Sequence, residues 1–155
     1  MAAEYSANTL QTVQAGQPVV FNESPVPCNR GNVFHRDGSG SFLVASKART
    51  TGCVMYETLY EVEVHANIAI PTGGTVEEIQ LAIAIDGETD TSSIMRTTPA
   101  AVEQFENVGT SIIVGVPSIC GCDSVSVRNI STQAIEVQNA NIIFTPVGIK
   151  KVRSV

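Results

Sequence analysis

Large aliphatic side chains fall at every second position through much of the chain. The clearest run is EIQLAIAIDGE (78–88), in which Ile79, Leu81, Ile83 and Ile85 alternate until Asp86-Gly87 stops them. A period of two ending in Asp-Gly predicts a strand closed by a turn. The opposite face of the same run carries Gln80, Ala82 and Ala84 where charges would keep an exposed strand soluble, so that face is expected to be covered by something needing the space.

The same period recurs along the rest of the chain. PVVFN (18–22), NVFHR (32–36) and SFLVA (41–45) read as strands, the last two joined by the turn Asp37-Gly38-Ser39-Gly40. From Thr58 to Ile70, Tyr60, Val62, Val64, Ala66, Ile68 and Ile70 share one face and Glu61, Glu63, His65 and Asn67 the other, until Pro71 and Gly73-Gly74 end the run. TDTSSIMRTT (89–98) is polar enough for an edge strand, with a single helical turn expected from Thr98-Pro99. FENVGTSIIVGVP (105–117) sets Val108, Thr110, Ile112, Val114 and Val116 against Gly109, Ser111 and Gly115, a second thin face. DSVSVRNIS (123–131) alternates again. In AIEVQNANIIFTP (134–146), Ile135 and Val137 have one parity and Ala140, Ile142 and Phe144 the other, which requires a β-bulge near Gln138-Asn139 if both sets face inward. Eight to ten strands without a helical period predict an all-β, antiparallel sandwich or barrel.

Composition sharpens this picture. The chain has 155 residues, enough for one core, and only 15% are charged against 43% hydrophobic, so the surface must be rich in neutral polar groups or partly buried against another subunit. The organisation expected is an N-terminal arm (1–16), one domain (17–147) and a short basic tail (148–155). Net charge is −6 and the cations fall singly before the pair Lys150-Lys151, which argues against a nucleic-acid partner. The first residues lack a basic start followed by an apolar stretch, so no secretory signal is expected, and the apolar runs are too short for a membrane span.

Candidate chemistry is sparse. Cys28, Cys53, Cys120 and Cys122 lack zinc-site spacing and are expected as thiols, with a Cys28–Cys53 disulfide open in oxidising surroundings. His65 beside Glu61 and Glu63 reads as a solvated strand face, and His35 as a local hydrogen-bonding group at a turn. Asp86, Glu88 and Asp90 lack the twelve-residue calcium loop, and the sequons at Asn22 and Asn129 stay bare without a secretory route. No catalytic residue, cofactor or metal is expected.

The order of FHRDGSGSFLV, LYEVEVHANIAI, IQLAIAIDGE, TSIIVGVP, DSVSVRNI and IEVQNANIIF resembles the jelly roll of tumour-necrosis-factor-like and complement-q-like heads. In that pattern Asp37-Gly38, Tyr60, Asp86-Gly87 and Phe144 take the hairpin, aromatic, turn and closing positions. NTLQTVQAGQPVVF, IAIPTGGTV, LAIAIDGE, TPAAVEQFENV and STQAIEVQNAN (8–21, 68–76, 81–88, 98–108, 131–141) are similar to small proteins of phage and prophage genomes of Gram-positive gut bacteria. The resemblance implies a homotrimeric jelly roll in a virion, made in the bacterial cytoplasm. It implies a capsid decoration protein bound to the major capsid protein or another virion protein. The alternative is a receptor- or glycan-binding head on a tail fibre, baseplate or spore surface, using loops 46–53, 86–93 and 117–124. The thin faces, Gln80, Ala82 and Ala84 with Gly109, Ser111 and Gly115, are the expected trimer interface. Cover for Ala82 and Ala84 from the same chain is the competing reading.

Overall fold

The computed structural model describes residues 2–28, 31–48, 54–118 and 122–152. Its strands are β1 (Ala3–Ala7), β2 (Gln11–Val13), β3 (Glu23–Val26), β4 (Val33–His35), β5 (Phe42–Ala45), β6 (Met55–Ala69), β7 (Ile79–Ile85), β8 (Glu88–Thr89), β9 (Met95–Thr97), β10 (Glu106–Pro117), β11 (Cys122–Asn129) and β12 (Ile135–Val152). They form two antiparallel sheets. The first runs β10-β6-β12-β1-β3 with β2 also on β12, and the second β4-β5-β11-β7-β8 with β9 also on β7.

Alternation sets the core. Tyr60, Val62, Val64 and Ile68 of the first sheet and Leu81, Ile83, Val125 and Val127 of the second are buried between the layers. One end of the core is aromatic: Phe42 lies 5.3 Å from Phe21, 5.2 Å from Phe144 and 5.1 Å from Tyr5 between ring centroids. Tyr60 rivets the sheets together, its hydroxyl donating to the Ala45 carbonyl oxygen at 2.7 Å, and burial pushes that phenol up to about 12.

The bulge near Gln138-Asn139 is present. Gln138 pairs with Asn67 and Asn141 with His65, so β12 spends one extra residue there, and Asn139 takes a left-handed φ of 51°. A second bulge, between Pro146 and Gly148, lets β12 continue beside β6 to Val152. The turn after β7 has φ of 51° at Asp86 and 84° at Gly87, the two positive values that a two-residue hairpin turn requires.

Several expectations are corrected. Residues 1–16 are not an arm: β1 lies between β12 and β3, and Ala3, Tyr5 and Ala7 enter the core. The chain from 148 is not a tail, because Gly148 to Val152 pair with Leu59 to Met55. PVVFN is held by single bridges at Pro18 and Phe21 instead of a ladder. TDTSSIMRTT breaks into β8, a 3-10 turn at Thr91–Ser93 and β9, and no helix forms at Thr98-Pro99. The break follows from Ser93, whose buried hydroxyl accepts from the Ile83 amide at 2.8 Å and so supplies the partner a strand residue would have given.

Candidate functional site

The outer face of the first sheet extends across β10, β6 and β12. Its cross-strand rows run Gly109–His65–Asn141, Ser111–Glu63–Ile143, Ile113–Glu61–Thr145 and Gly115–Leu59–Gly148. Gly109 and Gly115 leave room for long side chains of β6. A β-carbon at Gly109 would lie 2.5 Å from His65 Nδ1, and one at Gly115 2.8 Å from the Glu57 carboxyl carbon. Between them Ser111 Oγ donates to Glu61 Oε1 at 3.0 Å, and His65 Nε2 sits 3.0 Å from Glu63 Oε1. The small residues of β10 are therefore overlaid by the chain's own β6. Ile113 stands clear of them, 57% exposed.

Gln80, Ala82 and Ala84 occupy β7 in the other sheet, and their face points away from Gly109, Ser111 and Gly115. The six residues do not form one surface. Ala82 is 0% and Ala84 1% exposed in the single chain, so they offer no area to a sister copy. Arg128 stands directly opposite Ala82, its Nε donating to Ser126 Oγ and its Nη1 to the Gly16 carbonyl oxygen. Cover comes from the same chain at these two alanines; strand parity shows that a face is covered but not by whom.

The acidic residues are committed locally. Asp86 Oδ1 accepts from the Ser124 amide and Asp90 Oδ1 from the Ser92 amide. Asp123 is held above the usual carboxylate range by burial and by Asp86. Glu103, at φ 62°, accepts from the Thr72 hydroxyl and amide at 2.9 and 2.8 Å, which lowers its affinity for a proton. Burial, followed by the neighbouring Glu103, raises Glu136, whose Oε2 is buried without a hydrogen-bond partner. Among the described residues no three His, Cys, Asp or Glu side chains are gathered closely enough to hold a metal ion. Asn129 is buried, its amide donating to the carbonyls of Val13 and Gln133, so its sequon is closed to modification. Cys28 is half-buried and Cys122 exposed; Cys53 and Cys120, and with them the Cys28–Cys53 pairing, lie outside the described residues.

Where β3 and β4, the last strands of their sheets, diverge, the sandwich opens into a cleft of about 600 Å³. Its floor is His35, stacked on Phe42 at 4.2 Å and fixed by contacts of Nδ1 with the Ser41 carbonyl and Nε2 with the Phe21 carbonyl. Phe34 and Leu43, paired on the outward side of β4 and β5, contribute to its rim, 51% and 45% exposed. Its place beside a turn had marked His35 as locally bonded. The signal for the cleft was Phe34, a phenyl on the polar parity of its strand.

No protein-family model matches the chain, and no curated protein matches its sequence. Solved structures do match. The globular domain of zebrafish complement 1qA protein is 14% identical, with 96% of this chain and 98% of that one covered at a TM-score of 0.61. Eiger TNF from S. frugiperda is 12% identical, covering 96% and 92% at 0.66, and the PRD1 vertex protein P5 is 12% identical, covering 95% and 96% at 0.51. At such identities the likeness is one of fold: the chain is an all-β, antiparallel jelly-roll sandwich of the tumour-necrosis-factor-like and complement-q-like kind.

Proposed function

We propose that the chain is a structural virion protein, a homotrimer that decorates a bacteriophage capsid by docking on the major capsid protein or another virion protein. The observation that carries this reading is the outer face of β10, β6 and β12. Ile113 projects from it beside half-buried Leu59 and Ile143, while Glu61 and Glu63 already have local partners in Ser111 and His65. Carboxylates with partners in place cost less to bring against a neighbour than bare ones, and the exposed Ile113 on the edge strand β10 offers an apolar contact for packing of copies about an axis. Likeness in fold to a phage vertex protein supports a place on the shell.

Native mass spectrometry at micromolar concentration is expected to give a trimer, and Ile113→Asp a folded monomer. A wild type that stays monomeric at that concentration overturns the trimer. Labelling of purified particles is expected on the head. Label on the tail or fibre instead favours the second reading, a receptor- or glycan-binding head, for which the cleft beside β4 is the supporting observation.

A further inference from the structure

We infer that the cleft between β3 and β4 is a binding site for a small amphipathic anion, a molecule with a flat apolar body and one carboxylate or sulfonate group. This goes beyond the trimer reading and does not depend on it. A volume of about 600 Å³ is the size of a small-molecule site. The edge strand is set in advance, because His35 on its inner side is clamped between Phe42 and two backbone carbonyls, with the Tyr5 ring edge-on at 5.1 Å. A ligand therefore meets a rigid surface and spends little on ordering it.

Chemistry selects the class. Phe34 and Leu43, paired on the outward side of β4 and β5, form an apolar rim, each left about half in water, which a flat hydrocarbon body would cover. The hydroxyls around it are already engaged: Ser24 donates to Asp37, Ser39 accepts from the Ser41 amide, and Ser41 bonds to Ser124. A sugar, which needs many unspent hydrogen-bonding groups, finds few. The uncommitted polar group is Arg36. Arg36 lines the cleft, and among the described residues its guanidinium makes no ion pair and no side-chain hydrogen bond. A guanidinium fork matches a carboxylate or sulfonate. With a net charge of −6 the molecule as a whole repels anions, so anion binding here has to be the work of this local group.

The probe is 1-anilinonaphthalene-8-sulfonate, with neutral N-phenyl-1-naphthylamine as its uncharged counterpart. Fluorescence titration is expected to give saturable binding of the sulfonate at one site per chain. Arg36→Gln should weaken the sulfonate about tenfold and leave the neutral dye within about twofold, since only the charge-assisted contact is lost. Phe34→Ser should weaken both. Each side chain is exposed, and an unchanged thermal midpoint confirms that the variants fold. Chemical-shift mapping on the wild-type chain needs no variant and should place the sulfonate against Phe34, Arg36 and Leu43. Absence of saturable binding, shifts centred elsewhere, or sulfonate affinity unmoved by both substitutions overturns the assignment.

Discussion

A β-carbon added to Gly40 meets the Pro18 ring at 2.6 Å and the Val19 carbonyl at 3.1 Å, whereas one added to Gly109 meets chiefly the half-exposed ring of His65. The first neighbours are rigid and the second can swing into water. Gly40→Ala should therefore cost about 1–3 kcal/mol in urea denaturation, as overpacking of a fixed site does, and Gly109→Ala less than about 1 kcal/mol. Equal costs at the two positions would mean that the His65 ring is as fixed as the proline. This difference is invisible in the sequence, where both are glycines in strand-rich stretches. What could be read was that Gly109, Ser111, Gly115, Ala82 and Ala84 mark thin faces. The long side chains needing the space belong to β6 at Gly109 and Gly115, and their approach depends on register, which alternation leaves open.

Between elements, the neighbouring carboxyls of Glu103 and Glu136 make stability respond to pH. Glu136 binds its proton more tightly folded than unfolded, so its contribution is complete below the ordinary carboxylate range and is lost as pH rises through its raised folded value. Glu103, lowered by Thr72, works in the opposite sense: its contribution is present above the ordinary range and is lost as pH falls through its lowered value. Glu136→Gln removes the carboxylate beside Glu103. It should raise stability at pH 7, and the gain should shrink on acidification. Urea midpoints at pH 7 and pH 4 check this; a variant equally shifted at both would mean that Glu136 does not titrate differently in the folded chain. Nothing in the spacing of Glu103 and Glu136 announced the pair, since they stand 33 positions apart and Glu103 takes a left-handed conformation. By contrast the bulge in β12 was legible, because a slip in parity between Val137 and Ala140 allows no other way to keep both sides buried.

Across the whole molecule, the alternation of β6, β7, β10 and β12 was enough to fix an all-β sandwich, and these strands hold most of the core. The first sixteen residues were misread as an arm because AEYSA offers only two alanines and one tyrosine to the interior and acquires its partner from the far end of the chain. Deleting residues 2–8 should abolish cooperative thermal unfolding: it uncovers Phe42 and Phe144 and removes the buried Tyr5, a loss on the order of 3–5 kcal/mol for the aromatic alone. A truncated chain that melts as sharply as the whole would show β1 to be dispensable.

The antiparallel pairing of Ala3 with Phe144 and Ala7 with Ala140 also fixes where β1 meets β12. The chain enters at Ala3 from the pole toward which β12 runs on, paired with β6 as far as Val152. Tension that draws Ala3 away from β12 therefore loads the β1–β12 seam as a zipper, opened one rung at a time from Ala3, instead of shearing all its rungs together. Attachment by both ends at once exposes this seam to peeling, while attachment by β12 alone spares it.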